Sequence, residues 1–221
     1  MSETCYLCGE EKYSMEHVPA KCFFPEDPKY RKDLIKVPSC KMHNENTSKD
    51  DEYVRNFICM SIGTNSIAFK QFIEKVLKSF QHSPALKSQT FQKVQQVYIK
   101  EEKQNIKPVL TFQIERERFD KVMKKIGYAL YYHEYGKVWQ HGLNVVTEFL
   151  LDTNMQQGDS GKIIQEIKPH LTPEFDGENP KVFQYKFRET KTEDVILWMK
   201  FYEGFDVFII PNTNTNHPDS I

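Results

Sequence analysis

Two pairs of metal-ligand residues near the start of this 221-residue chain constrain its fold most strongly. Cys5 and Cys8 are separated by two residues, and Cys40 and His43 repeat that spacing further along. Three thiolates and one imidazole complete a tetrahedral zinc shell, and the segment between the pairs lacks the apolar residues for a core of its own. We therefore predict a structural zinc ion at these four residues. A redox Cys-x-x-Cys is disfavoured, since no strand pattern precedes Cys5.

The composition indicates a globular protein without a membrane span. Hydrophobic residues make up 39% of the chain, charged residues 28%, and the mean hydropathy is −0.63. The five cysteines are too few for a disulfide scaffold and favour a reducing cytoplasm. The N-terminal residues are neither basic nor apolar, so we expect no secretory signal. The net charge of −1 neither indicates nor excludes binding to nucleic acid.

Apolar periodicity predicts an α+β protein. A helical pattern covers residues 50–81 with an interruption at Gly63 and Asn65, and a second covers residues 116–134 and ends at Gly136. Residues 156–161 favour a turn, and residues 211–221 a frayed polar tail. Strands are predicted at residues 94–99, 109–115, 144–151, 182–188, 195–202 and 205–210.

These elements suggest three parts. Residues 1–60 would form a small zinc-stapled module, residues 61–108 would be helices and a connector, and residues 109–221 would form a C-terminal mixed α+β domain of unknown role. His133 and His141 fall at and after the end of the long predicted helix. A single histidine there usually interacts with the last helical carbonyls, so we expect neither to be functional.

The segment between the two ligand pairs resembles the HNH (ββα-metal) nuclease family. The matching motifs are CYLCG, EHVPAKCFF and VPSCKMHN, and the resemblance covers roughly residues 5–57. Many members of that family have two zinc knuckles that flank an acidic-His-hydrophobic-x-Pro element, followed by an Asn or His that opens a helix. The fold implied is a zinc-stapled ββα-metal nuclease module.

The resemblance also implies residue roles. His17 matches the general base, Glu16 matches a residue, usually Asp, that ligates the catalytic ion, and Asn44 matches the second ligand. That ion would be Mg²⁺ or Mn²⁺ and would be separate from the zinc. The family's middle Asn has no counterpart before Cys40, where Asp33 is the nearest substitute. Alternation along a strand sends Glu16 and His17 to opposite faces unless a twist or bulge intervenes.

We therefore expect a metal-dependent HNH-type endonuclease that hydrolyses DNA, with a restriction or anti-phage defence setting and partner proteins of such a system suggested by analogy. An imidazole can deprotonate the attacking water, and a divalent ion can neutralise charge on the phosphate. One alternative is a non-catalytic zinc-ribbon module that binds nucleic acid or protein, and another is RNA cleavage by the same site. The cations expected to contact nucleic acid are Lys21, Lys29, Arg31 and Lys32.

Overall fold

The computed structural model describes residues 4–45, 48–91, 94–100, 106–147, 164, 174–189, 194–212, 214–215 and 217–219. The predicted turn at residues 156–161 and the end of the strand predicted at residues 144–151 lie outside these ranges. The strands are β1 (Ser14–His17), β2 (Lys36–Ser39), β3 (Gln95–Lys100), β4 (Ile106–Thr111), β5 (Gly142–Val146), β6 (Asp176–Asn179), β7 (Phe183–Glu189), β8 (Val195–Phe201) and β9 (Phe205–Asn212). The α-helices are α1 (Lys41–Glu45), α2 (Ser48–Met60), α3 (Ser66–Gln71), α4 (Leu77–His82), α5 (Pro84–Phe91) and α6 (Arg116–Tyr135).

The N-terminal part is an antiparallel hairpin followed by a short helix. Strands β1 and β2 pair so that Glu16 lies opposite Val37 and His17 opposite Lys36. Helix α1 begins two residues after β2 ends, so Cys40 is the only residue between the two elements. This order brings the second ligand pair back beside the turn that carries the first.

The middle helices break where the sequence predicted a break. Helix α2 ends at Met60, and Asn65 caps α3, its side-chain oxygen accepting from the backbone N–H groups of Ile67 and Ala68 at 3.0 and 3.2 Å. A π-helical turn, Phe72–Val76, joins α3 to α4. Helix α5 was not predicted, because Pro84 indicated only the end of a helix. Proline is equally suited to the first turn of a new one.

The long helix and the C-terminal sheet follow the apolar pattern closely. Helix α6 ends at Gly136, which adopts a left-handed φ of 66°. The sheet has the order β5-β9-β8-β7-β6 with antiparallel pairs throughout. The strand predicted at residues 109–115 ends early, at Thr111, and β6 was not predicted. The buried stripe of α6 is the predicted one and comprises Phe119, Val122, Met123, Ile126, Ala129 and Leu130.

The described residues of the C-terminal tail are hydrogen-bonded to the rest of the protein. The sequence predicted a frayed tail here because the segment is polar. The Thr215 hydroxyl accepts from the backbone N–H of Gly142 at 2.8 Å. One carboxylate oxygen of Asp219 accepts from the N–H of Leu143 at 2.8 Å and from the hydroxyl of Tyr128 at 2.9 Å. Polar side chains therefore hold this segment against β5 and α6.

The larger of two hydrophobic clusters in the described residues extends from the N-terminal hairpin to the C-terminal sheet, and the mixed α+β class is confirmed. The ring of Phe57 in α2 lies 5.9 Å from that of Phe119 in α6 and 6.0 Å from that of Phe205 in β9, between centroids. The β8–β9 turn also abuts the break after α2, because a Cβ at Gly204 would lie 1.8 Å from the carbonyl oxygen of Gly63. The division into three parts stays a prediction. Among the described helices, none combines the length and apolarity needed to cross a membrane.

Candidate metal centre and cleft

The four predicted zinc ligands are brought together. The ligand atoms of Cys5, Cys8, Cys40 and His43 all lie within 4.8 Å of one another. The Cys8 and Cys40 sulfurs are 3.8 Å apart, and Nδ1 of His43 lies 3.5 Å from the Cys5 sulfur and 3.2 Å from the Cys40 sulfur. A tetrahedral ion with metal–sulfur bonds of about 2.3 Å separates its ligands by about 3.7 Å. The cluster can therefore hold a structural zinc ion.

Local backbone bonds position these ligands. The turn that carries the first pair is closed by the N–H of Cys5, which donates to the carbonyl of Glu10 at 2.8 Å, and by the N–H of Gly9, which donates to Cys5 at 3.1 Å. The N–H of Tyr6 donates to the carbonyl of Pro38 at 2.9 Å and ties this turn to β2. The other two cysteines, Cys22 and Cys59, lie outside the cluster, and burial raises the pKa of each thiol to about 12.

Glu16 and His17 lie on opposite faces of β1, as strand alternation requires. The side chain of Glu16 is buried, whereas His17 is half-buried and opens into a cleft. Glu16 is not among the residues that line this cleft. The arrangement implied by the family resemblance, in which both side chains serve one cleft, is therefore wrong for this hairpin.

Glu16 instead belongs to a buried ion triad. The ammonium of Lys125, in α6, lies 2.9 Å from a carboxylate oxygen of Glu16 and 3.0 Å from one of Asp51 in α2. The three side chains are 8%, 6% and 4% exposed, in the order Glu16, Lys125, Asp51. Although burial lowers the pKa of Lys125, the two carboxylates outweigh it and raise that pKa above its ordinary value. Lys125 therefore stays charged and fills the space beside Glu16.

Asn44 is also not among the residues that line the cleft of His17. Its side-chain amide donates to the hydroxyl of Ser14, on the face of β1 that carries Glu16, and its backbone N–H donates to the Cys40 carbonyl at 3.2 Å. A Mg²⁺ or Mn²⁺ ion held by Glu16 and Asn44 does not fit this arrangement, because the Lys125 ammonium already pairs with the buried carboxylate of Glu16. We correct the predicted ligand roles of both residues on this ground.

The cleft in front of His17 has a volume of about 850 Å³ and lies between the N-terminal hairpin and the C-terminal sheet. The loop before β2 forms one wall, and β6, β7 and the end of α6 form the other. The side chains that line it are polar or charged in most positions. They belong to His17, Lys21, Arg31, Asp33, Leu34, Ile35, Lys36, His133, Asp176, Glu178 and Tyr185, with the backbone of Gly177.

The electrostatics of the cleft keep His17 neutral. Partial burial lowers the pKa of His17, and the charges of Lys21 and Lys36 lower it further. A neutral imidazole can accept a proton at neutral pH. The guanidinium of Arg31 is held in place by donation to the backbone carbonyl of Phe24 at 3.1 Å. Lys21, Arg31 and Lys36 thus line the same cleft as this neutral imidazole.

Two of the four cations predicted to contact nucleic acid line this cleft. Lys21 and Arg31 do so. Lys29 instead pairs with Asp27 at 3.0 Å, and Lys32 lies 3.7 Å from Asp33. Neither Lys29 nor Lys32 is part of the cleft lining.

Several residues of the cleft were not predicted from the sequence. His133, Asp176, Glu178 and Tyr185 belong to elements far along the chain, and no local spacing links them to His17. The available signal for His133 was its position in the last turn of α6, where an end-of-helix role is the ordinary interpretation. His141, by contrast, donates from its ring to the carbonyl of Thr215 at 3.0 Å and anchors the tail.

Comparisons with protein-family models, with curated proteins and with solved structures gave no match. The functional assignment therefore rests on the chemistry of the site.

Proposed function

We propose that the protein is an endonuclease that cleaves phosphodiester bonds with His17 as the general base. The observation that carries this proposal is the position of His17 in an open cleft that Lys21, Arg31 and Lys36 also line, together with the lowered pKa of its imidazole. The zinc cluster has a separate role, which is to hold the hairpin that presents His17.

The chemistry follows from the charges in the cleft. A phosphodiester is an anion, and the three cations attract it and stabilise the further charge that develops as the phosphorus is attacked. The neutral imidazole of His17 takes the proton from the attacking oxygen, a contribution worth about 10² to 10⁴ in rate. Contacts of this kind engage the nucleic-acid backbone, so little sequence preference is expected. A place in restriction or phage defence stays a prediction.

The test is a cleavage assay with supercoiled plasmid DNA and with RNA, each without divalent cations, with Mg²⁺ and with Mn²⁺. We expect cleavage of at least one substrate, and a loss of about 100-fold or more in His17→Ala. His82→Ala is the matched control, because His82 is exposed at the end of α4 and away from the cleft. Binding measured by fluorescence anisotropy should survive in His17→Ala. Cleavage that persists in this variant would contradict the proposal.

A second candidate function is a non-catalytic module that binds nucleic acid. It is favoured by the burial of Glu16, because the carboxylate expected to hold a catalytic ion is neutralised by Lys125 instead. In that case DNA and RNA should stay intact under every condition, while Lys21→Met with Arg31→Met weakens binding and makes it less salt-dependent. The two candidates therefore differ in one direct result, the appearance of cleaved product.

A further inference from the structure

We infer that the cleft cleaves RNA rather than DNA, by attack of the ribose 2′-hydroxyl, with His133 as the general acid opposite His17 and without a divalent cation. This inference rests on the proposed function and names its substrate class and a second catalytic residue. It is carried by the presence of two imidazoles in one cleft and by the buried ion triad behind it.

The triad removes Glu16 and Asp51 as ligands of a divalent cation, and among the described residues no second group of three His, Cys, Asp or Glu side chains is placed to hold a metal ion. Glu16 and Asp51 each pair with the Lys125 ammonium, at 2.9 and 3.0 Å, deep in the core. Attack by water on DNA needs a strong nucleophile and extensive charge neutralisation, which a divalent ion usually supplies. RNA carries its own nucleophile next to each phosphate, so positioning and proton transfer are enough.

The same triad links the two elements that carry the histidines. Glu16 is the neighbour of His17 in β1, and Lys125 lies eight residues before His133 in α6, or about 12 Å along the helix axis. The ion pair between Glu16 and Lys125 therefore joins the strand that carries one imidazole to the helix that carries the other. Both histidines line the same cleft, His17 from β1 and His133 from the last turn of α6.

The reaction balances with these groups alone. A ring nitrogen of His17 takes the proton of the 2′-hydroxyl, the 2′-oxygen forms a bond to phosphorus, and the bond from phosphorus to the 5′-oxygen breaks. Protonated His133 donates its proton to the departing 5′-oxygen. The products are a 2′,3′-cyclic phosphate and a 5′-hydroxyl, and no water, oxidant or metal is consumed.

The three cations of the cleft come from the N-terminal part, which also contributes the carboxylate of Asp33, and two further carboxylates come from β6. Lys21, Arg31 and Lys36 line the cleft, where their charges attract the phosphate and stabilise the additional negative charge of the transition state. Asp176 and Glu178 lie two residues apart on β6 and line the other wall, where carboxylates can accept hydrogen bonds from ribose hydroxyl and base amino groups. The phosphate is thereby directed to the cationic wall, which carries His17.

The experiment uses the full chain, with its zinc retained, and a labelled oligoribonucleotide. We expect cleavage without added divalent cation, little change with Mg²⁺, and a 2′,3′-cyclic phosphate end. An otherwise identical oligonucleotide with one 2′-deoxynucleotide should resist cleavage at that linkage. His133→Ala should lose about 100-fold, as His17→Ala does, whereas His82→Ala should not change the rate.

A second substrate separates a catalytic from a structural role of His133. In uridine 3′-(4-nitrophenyl phosphate) the leaving group departs without being protonated. His133→Ala should therefore recover most of its activity on this substrate, whereas His17→Ala should not. A loss of equal size on both substrates in His133→Ala would overturn its assignment as the acid.

The outcomes also separate this inference from the proposed function. Cleavage of DNA, or cleavage of the 2′-deoxy linkage, that requires Mg²⁺ and is lost in His17→Ala overturns the inference and leaves the endonuclease proposal intact. RNA cleavage that persists in His133→Ala and is lost in His17→Ala also overturns the inference and leaves the endonuclease proposal intact. Cleavage of neither RNA nor DNA by the wild-type protein overturns both.

Discussion

At the scale of single residues, two neighbours on one strand have opposite environments. His17 and Glu16 are adjacent in β1, yet one opens into the cleft and the other is buried beside an ammonium. The chemistry available to each follows from this difference. His17 can exchange protons with a bound molecule, whereas Glu16 is confined to an ion pair that solvent does not reach.

The first prediction concerns the titration of His17. Burial and the charges of Lys21 and Lys36 hold its pKa below the ordinary 6.5, so the stability that neutral His17 contributes is complete above pH about 6.5 and is lost as the pH falls through the lower folded value. NMR spectroscopy that follows the chemical shift of a carbon-bound ring proton of His17 against pH should show a midpoint below 6.5. Lys21→Met with Lys36→Met should raise the midpoint, whereas Lys29→Met should not. A midpoint at or above 6.5 in the wild-type protein would contradict this account.

At the scale of elements, two clusters hold the hairpin in place from different sides. The Cys5, Cys8, Cys40 and His43 cluster joins the N-terminal turn to the start of α1, and the ion triad joins β1 to α2 and α6. The hairpin has only four residues in each strand, and a two-stranded sheet of that size is not stable by itself. These two attachments, together with the burial of Val37 in the core, therefore hold it in position.

The second prediction concerns the metal cluster. The purified protein should contain one zinc ion per chain by elemental analysis, and Cys5→Ser should lose most of it, because three ligands bind the ion far more weakly than four. Cys22→Ser should keep a full complement, since Cys22 lies outside the cluster. Amide hydrogens of β1 and β2 should exchange faster in Cys5→Ser. Full zinc content in that variant would show that Cys5 is not a ligand.

The third prediction concerns the triad. Lys125→Met should destabilise the fold by about 3–5 kcal/mol, because it leaves two buried carboxylates without their ammonium. Lys121→Met, on the exposed face of α6, should change the free energy of unfolding by no more than about 0.5 kcal/mol. Urea unfolding measures both.

The effect of pH on the stability of Lys125→Met gives a second test of the triad. Burial raises the pKa of Glu16, so protonation removes its buried charge as the pH falls toward 4.5. The deficit of Lys125→Met should therefore shrink in mild acid. A deficit that is the same at pH 5 and pH 8 would show that the lost packing of the lysine, and not its charge, matters.

At the scale of the whole molecule, the N-terminal part, the middle helices and the C-terminal sheet pack against one another. The carbonyl of Phe23 accepts a hydrogen bond from the Gln71 amide at 3.1 Å and another from the hydroxyl of Tyr202. These residues come from the N-terminal part, the middle helices and the C-terminal sheet. The cleft with His17 and His133 forms between parts that are held together in this way.

The fourth prediction tests whether the N-terminal and C-terminal parts unfold together. Phe57 contacts the rings of Phe112, Phe119 and Phe205, so Phe57→Ala should cost about 3–5 kcal/mol. Phe69→Ala should cost far less, since that side chain is 64% exposed. Tryptophan fluorescence reports on the C-terminal part, which contains Trp139 and Trp198, and zinc release reports on the N-terminal part. Unfolding measured by these two signals should show coincident transitions. Separate transitions would indicate independently folding parts.

Local pattern determined much of this protein. The spacing of Cys5, Cys8, Cys40 and His43 indicated the metal cluster, and 3.6-residue periodicity indicated α6 with its stop at Gly136. Pattern succeeds in these cases because ligand spacing and helix phase are properties of neighbouring residues. It missed α5 and β6, for which the sequence carries only short and ambiguous signals.

The tertiary structure alone decided which side chains share a site. The pleat of β1 places Glu16 and His17 on opposite faces, and Glu16 pairs with a lysine more than 100 residues away. The packing of α6 on the hairpin brings His133 to the cleft that His17 also lines. No spacing along the chain encodes a contact between an early strand and a late helix. Such contacts arise only when distant apolar faces are buried together, so the composition of the cleft could not be predicted from the sequence.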